Sequence, residues 1–344
     1  MSDEMRYVGY GPDNLVPVGP IGYGLMNLTW TPEETPDAQA FKSIQTFLTS
    51  GNRFLNAGEF YGTGPDRTYS NLQLLSRFFD KFPEYLKEGK CFLSVKGAAI
   101  LKEGRIIGVN GSEDHLRRSV KIINEKLGGK KKMDLFQMAR VDKNIEIEKV
   151  METLKTLKFE GCFSHIGLSE VSALTIERAH KVHPISAVEI EYSPWSLDIE
   201  KNGVLETCER LGIPIIAYSP LGRGMLTGTL RSPSDIPKGD IRHDLDRFKP
   251  ENFAQNLKIV EKLKLISDSK PCTITQLCIS WILNQSKLII PIPGSRRPEG
   301  VQESIESIHV KLSGDELSMV RKVVDEAEIK GGRYNDHMQA GLEG

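Results

Sequence analysis

From residue 20 almost to the end of the chain, short apolar runs alternate with segments of helical period, and this alternation limits the fold more than any other feature. The runs are IGYGLM (21–26), FLNAG (54–58), CFLSVKG (91–97), DLFQMARV (134–141), HIGLS (165–169), AVEIEY (187–192), PIIAYS (214–219) and LIIPIPG (288–294). They are apolar over most of their length instead of at every second residue, as in strands covered on both faces of a parallel sheet. The segments between them carry helix punctuation. After Ser112, a good N-cap residue, Leu116, Val120, Ile123 and Leu127 share one face, and Gly128-Gly129 stops the turn. Ile147, Val150 or Met151, Leu154 and Leu157 repeat the stripe, closed by Gly161.

Eight strand–helix units in about 275 residues predict an α/β fold of the (β/α)8 TIM-barrel type. At ~150 residues per domain, the 344-residue length alone would also accommodate two domains. No Pro- or Ser-rich linker divides the chain, so a single barrel domain over 1–344 is expected. Residues 1–19 read as a short N-terminal β-hairpin around the turn-forming GPDN at 11–14, and SGDELSMVRKVVDEAE (313–328) reads as an extra C-terminal helix. The charged stretch 231–252 is long for a βα loop and is a candidate lid.

Charge removes several function classes. Lys plus Arg number 45 against 46 Asp plus Glu, so the broad basic field of a nonspecific nucleic-acid binder is missing. The longest apolar runs, such as IPIIAY (213–218), fall far short of the ~20 residues that span a bilayer. The first residues lack a basic start followed by an apolar stretch, which makes the cytoplasm the expected compartment. Five cysteines without a C-x-x-C pair suit reduced thiols better than a disulfide framework.

In a barrel of this type the active site lies at the carboxyl ends of the strands. The polar residues leaving those ends are Asn56, Glu59 and Tyr61; Lys96; Arg140 and Asp142; Ser169 and Glu170; Glu189 and Tyr192; Tyr218 and Ser219; and Ser295, Arg296 and Arg297. A Tyr beside a Lys has a direct chemical reading. A phenol has a pKa of ~10, and a nearby ammonium favours its phenolate, which suits proton transfer to a carbonyl oxygen as hydride reaches the carbon. No side chain supplies hydride, so this chemistry requires a nicotinamide or a flavin.

Other motifs lead elsewhere or nowhere. Gly222, Gly224 and Gly228 are spaced G-x-G-x-x-x-G, one residue off the dinucleotide fingerprint, and no P-loop occurs. His180 and His183 have no acidic or Cys partner at metal-ligand spacing, so no metal is expected. Lys130, Lys131 and Lys132 read as a solvated turn.

Six stretches in order give the chain a family resemblance. FLNAGEFYGTG (54–64), SVKG (94–97), HIGLSEVS (165–172), VEIEYSPW (188–195), AYSPLGRGMLTG (217–228) and IPIPGSRR (290–297) resemble segments of the aldo-keto reductases. The resemblance implies a catalytic set of Tyr61 as proton donor, Lys96 as the cation beside it, and Asn56. It further implies Ser169 and Glu189 at the nicotinamide carboxamide and Tyr218 stacked on its ring. Ser219, Leu221 and Gly294 would also bind the cofactor, the Gly222 to Gly228 segment would fold over the pyrophosphate, and Ser295 and Arg296 would meet the adenosine 2′-phosphate, with Arg297 a second candidate. An Arg fork suits a phosphate dianion, so NADPH is the implied cofactor and a small-molecule aldehyde the implied partner.

Two departures from the family pattern stand out. The family usually has Asp where this chain has Asn56, and His where it has Ala139. Loss of the Asp leaves Lys96 to act more strongly on Tyr61 or to lose its own proton when desolvated, with Glu59 a possible replacement counter-charge. Glu170 and Glu189 stand where parts of the family have amides. These changes, with EFYG, ARVD and GLSEVSA, resemble the pyridoxal reductase branch found in fungi, in which the ortho hydroxyl of the substrate could partly stand in for the imidazole. The implied activity is reduction of pyridoxal to pyridoxine. A broad-specificity aldehyde or ketone reductase, and an NADPH-binding accessory subunit like those of potassium channels, fit the same resemblance.

Overall fold

Each apolar run forms a strand, and the eight strands lie side by side in parallel because helices return the chain to the same end each time. The computed structural model describes residues 5–334, 342 and 344. The hairpin strands β1 (Tyr7–Val8) and β2 (Val16–Pro17) come first, followed by β3 (Gly22–Gly24), β4 (Phe54–Gly58) and β5 (Phe92–Gly97). A second hairpin, β6 (Ala99–Lys102) and β7 (Arg105–Val109), precedes β8 (Leu135–Met138), β9 (His165–Ser169), β10 (Ala187–Glu191), β11 (Ile215–Tyr218) and β12 (Ile289–Pro291). The large sheet runs β3-β4-β5-β8-β9-β10-β11-β12. Its two ends meet where the Gly24 N–H donates to the Pro293 carbonyl at 3.1 Å, which closes the (β/α)8 barrel.

Strand register determines what the barrel contains. Residues two apart face the same side, and the pairs Phe54↔Phe92, Asn56↔Ser94 and Lys96↔Gln137 stack inward-facing positions in layers. The lowest layer is apolar: Phe54, Phe92, Leu135, Ala187, Ile216 and Ile290 pack with Val8 and Val18 from the hairpin region. The Phe54 and Phe92 rings stack with centroids 5.6 Å apart. The hairpin is tied on by the Gly9 N–H, which donates to Ser186 O at 3.1 Å. The amino-terminal mouth is therefore plugged, and polar groups collect at the other end.

The outer helices include Glu113–Lys126 and Ile147–Phe159, whose buried residues are the stripes expected from the sequence. Ser112 occupies the N-cap position, but its side chain makes no capping bond. The extra helix Gly314–Asp325 starts on a complete capping box, Ser313 with Glu316. Two features were not foreseen. One is the β6/β7 hairpin, turned by Glu103 and Gly104 with φ of 50° and 72°, a left-handed pair that suits a two-residue hairpin loop. The other is the packing of 231–252, which forms three short 3-10 turns instead of an open loop. Arg242 Nη1 donates to Arg223 O at 3.1 Å, and Arg247 Nη1 donates to Trp195 O at 2.8 Å, so this stretch braces the loops after β11 and β10.

All five cysteines are free thiols. Among the described residues no helix is long and apolar enough to cross a membrane.

At the closing seam a Cβ on Gly24 would lie 2.9 Å from the carbonyl oxygen of Ile292, a backbone atom that cannot swing away. Gly24→Ala should therefore cost about 1–3 kcal/mol of stability, read as a lower urea midpoint. An unchanged midpoint would show that the seam is looser than its geometry.

Candidate active site

The inward layers above the apolar floor bring five polar side chains together. Lys96, 5% exposed, directs its Nζ to Asn56 Oδ1 at 2.8 Å and forms a buried ion pair with Glu189 Oε1. The other carboxylate oxygen, Glu189 Oε2, accepts from Asn56 Nδ2 at 2.7 Å and from Gln137 Nε2 at 2.9 Å. Gln137 Nε2 also donates to Ser94 Oγ at 2.6 Å. These residues come from β4, β5, β8 and β10, so the group spans the barrel.

Tyr61 arrives from the loop after β4. That loop leaves the strand with the Glu59 N–H donating to Lys96 O at 2.9 Å, and it is fastened by Thr29 Oγ1 donating to Tyr61 O at 2.8 Å. Gly58 makes the turn possible, since a Cβ there would fall 2.9 Å from the Tyr61 ring. The ring is 6% exposed and packs with Phe60, Ala99 and Ala139, with Trp30 and Met26 against them. Lys96 Nζ sits 5.3 Å from its centroid. The expected meeting of phenol and ammonium is therefore present.

The electrostatic balance differs from the sequence expectation. Burial pushes the Tyr61 phenol up, and the pull of Lys96 in the other direction is not enough to reverse it, with Glu189 adding to the rise. The Tyr61 phenol is therefore shifted towards keeping its proton. For Lys96, burial alone would favour loss of the proton, but the Glu189 carboxylate and Tyr61 outweigh it and hold the ammonium above the usual lysine value. The shift of Lys96 thus runs opposite to the proton loss that desolvation alone would favour.

Several residues fall in places other than those expected. Glu59 is not the counter-charge of Lys96: its oxygens accept from the Ala99 N–H at 2.9 Å and from Ser119 Oγ at 2.7 Å. Burial pushes that carboxyl up to about 7 despite both bonds. Glu189 has both oxygens engaged inside the barrel, where the resemblance had set it against a carboxamide. Tyr192 donates to Glu200 Oε1 at 2.6 Å and stacks on Trp281, outside the polar group, and Asp142 caps the Gly111 N–H at 2.9 Å.

The rim holds a second cluster that sequence reasoning missed. Glu170, fully buried, accepts from Arg333 Nη1 and Nη2 at 3.1 and 2.9 Å and from Tyr218 Oη at 2.7 Å. Tyr218 Oη also lies 3.0 Å from Tyr334 Oη, and the Tyr334 ring has Arg223 at 4.8 Å and Arg140 at 6.0 Å from its centroid. Arg333 and Tyr334 follow the last helix, in a stretch with no motif to flag them. Four residues at this end adopt left-handed backbone without being glycine: Ala98, Glu170, Ser219 and Arg223, with φ of 67°, 53°, 51° and 54°. Such conformations concentrate where a site over-determines its backbone.

A family model described as the Aldo/keto reductase family matches residues 20–325, nearly the whole barrel. The chain is an aldo-keto reductase. It is an oxidoreductase acting on carbonyl and alcohol groups. A Schizosaccharomyces pombe protein named "Probable pyridoxal reductase 2" is 40% identical over 331 residues, covering 94% of this chain and 97% of that protein. The same organism's NADP(+) aldo-keto reductase yakc is 35% identical over 339 residues, covering 97% and 95%. The solved glycerol dehydrogenase of Gluconobacter oxydans has a TM-score of 0.80 at 19% identity, covering 96% of this chain and 98% of its own, a likeness of fold.

Members of this family use a nicotinamide dinucleotide, and the reductase has donors suited to its phosphates. Tyr23 Oη donates to Ser295 O at 2.6 Å, and Gln39 and Ser43 donate to Arg296 O at 2.8 and 3.1 Å, which fixes the segment Gly294–Arg297 after β12. Arg296 Nε donates to Thr35 Oγ1 at 2.9 Å, Arg297 is exposed, and both stand at the start of helix Pro298–Glu306. Two guanidiniums at a helix N-terminus suit a phosphate dianion. Ser219 and Leu221 follow the neighbouring strand β11, half-buried, at the start of the glycine-rich loop, and Ser169 is buried at the end of β9. Among the described residues no group of three or more His, Cys, Asp or Glu is placed to hold a metal ion.

The Glu170–Arg333 pair gives a pH signature. Burial would raise the Glu170 carboxyl, but Arg333 and Arg140 outweigh it and hold it below the usual range. Its stabilising contribution is therefore present above the unfolded value of ~4.3 and is lost as pH falls through the lower folded value. Arg333→Met should cost about 3–5 kcal/mol at neutral pH, with the deficit shrinking below about pH 4. A deficit independent of pH in urea titrations would exclude the pair as its source.

Proposed function

We propose that this reductase converts pyridoxal to pyridoxine with NADPH. The observation that carries the reading is the buried Tyr61 phenol, kept protonated beside the charged Lys96 at the carboxyl mouth of the barrel. The relative named a pyridoxal reductase, similar over nearly the full length, supports the substrate. Ala139 supports it as well: packed beside Tyr61, it is smaller than the imidazole usual in the family, and the ortho hydroxyl of pyridoxal can make a hydrogen bond to its own carbonyl in place of that donor.

A nicotinamide dinucleotide held by Ser169, Tyr218 and the segment Gly294–Arg297 would supply hydride to the aldehyde carbon. Tyr61 Oη gives its proton to the carbonyl oxygen as the C–H bond forms, and the tyrosinate left behind is stabilised by the Lys96 ammonium. Trp30 and Phe60, in ring contact with Tyr61 at centroid distances of 5.6 and 5.2 Å, form apolar walls for an aromatic aldehyde. Arg140, half-buried behind Ala139, offers a cation to an anionic ring substituent. Ser169 has no side-chain partner among the described residues, and in this reading its hydroxyl serves the carboxamide. Arg296 and Arg297 would hold the 2′-phosphate, which would select NADPH over NADH.

Steady-state assays with NADPH test the reading, and pyridoxal should exceed simple aromatic aldehydes in kcat/KM. A preference for simple aldehydes would replace pyridoxal by a broad substrate class. Tyr61→Phe should lower kcat by about 10²–10⁴-fold while NADPH still quenches the protein fluorescence, and retained turnover would remove Tyr61 from proton transfer. Arg296→Ala should weaken NADPH binding by about tenfold or more and leave NADH nearly unchanged. Equal losses would contradict the phosphate assignment.

A further inference from the structure

We infer that Glu189 is the counter-ion on which the acid–base pair depends, a positioning residue that acts through Lys96, with Asn56 as a neutral bridge. The inference deepens the carbonyl-reductase reading and rests on it. Its basis is the geometry of the lumen. Asn56, Gln137 and Glu189 all surround the Lys96 head group or its carboxylate partner, but two of them are neutral, and an amide orients a charge without compensating it. Glu189 is the one carboxylate touching Lys96 among the described residues.

Its orientation is fully determined. Oε1 takes the ammonium, while Oε2 accepts from Asn56 at 2.7 Å and Gln137 at 2.9 Å, so neither oxygen is left to turn. At 2% exposure water does not compete for it. Asn56 gives its carbonyl to Lys96 and its amide to Glu189, the only polarity that satisfies both neighbours at once. The negative charge expected on β4 has in effect crossed the barrel to β10, and Asn56 has become the complementary amide. This assigns Glu189 a task different from holding a nicotinamide carboxamide, and the two tasks are separable.

The charged or titratable groups facing the pair are Glu189 from β10, Lys96 from β5, Tyr61 from the loop after β4, Arg140 from the end of β8 and Tyr334 from the C-terminal segment. Removing the Glu189 charge leaves the buried ammonium uncompensated. Either Lys96 then gives up its proton more readily or Tyr61 does, and in both cases the first proton leaves the coupled pair at lower pH.

The experiment compares the parent protein, Glu189→Gln and Asn56→Asp/Glu189→Gln as full chains. Glu189→Gln should move the alkaline limb of kcat down by about 1–3 pH units and lower kcat on the order of tenfold, with NADPH affinity within a few-fold of the parent. The double variant returns a carboxylate to a position whose oxygen already lies 2.8 Å from Nζ, and it should bring the limb back. Without any cofactor, the tyrosinate absorbance of each protein, corrected with its Tyr61→Phe counterpart, should shift in parallel if Tyr61 is the group that ionises first. If Lys96 ionises first, its shift should appear in the titration of a reactive lysine probe instead. This ligand-free arm stands even when no aldehyde is turned over, so failure of the substrate reading and failure of the counter-ion inference are distinguishable. Unchanged titrations in Glu189→Gln, a double variant that stays at the single variant's limb, or a large loss of NADPH affinity with an unmoved limb would each overturn the inference.

Discussion

An ammonium shut inside a barrel must have an anion, and in this protein that requirement organises the upper half of the lumen. Lys96 is 5% exposed, in a medium where an unpaired charge would cost several kcal/mol. Glu189 meets it, and the carboxylate in turn needs donors for its second oxygen. Asn56 and Gln137 supply them, and Ser94 accepts the remaining reach of Gln137. Four strands are thereby cross-linked through side chains at one level. The apolar layer beneath, with the hairpin closing it, keeps water from entering behind the pair, so the low dielectric that makes the charge expensive also strengthens its bonds.

The rim follows a related logic with different partners. Glu170 is fully buried and is neutralised by Arg333, while Glu191, 2% exposed, lies 3.5 Å from Arg223 and 3.8 Å from Arg333. Left-handed backbone at Glu170, Ser219 and Arg223 aims these groups inward. Each such residue carries on the order of 1–3 kcal/mol of strain. That strain is offset by the network it makes possible, which is why the conformations persist at these places and not along the helices.

How much of this was legible depends on how far a contact reaches. The strand runs, the stop signals at Gly128-Gly129 and Gly161 and the capping pair at Ser313 are local, and each could be read from a dozen residues. Tyr61 and Lys96 were found because every strand exit in a parallel barrel points to one mouth, so topology alone gathers them. The partner of Lys96 was not found, because Glu189 lies 93 positions further on and its neighbours in sequence, Val188 and Ile190, say only that it belongs to a strand. Glu59, much nearer, looked the better candidate, but it faces Ser119 on the outside of the sheet. Arg333 and Tyr334 were invisible for the same reason: a segment without periodicity gives no hint that it folds back over 163 residues to Glu170.

The seam between β3 and β12 joins the first barrel strand to the last, and this bears on how the chain is born. A ribosome adding roughly 5–20 residues per second exposes Gly22–Gly24 tens of seconds before Ile289–Pro291 emerges to cover its edge. A waiting edge is an invitation to wrong pairing between nascent neighbours. Three residues, two of them glycine, form a poor template for it, with little side-chain surface to hold a stranger in register. The narrowness that lets the barrel shut at its end also protects the unfinished polypeptide while it waits.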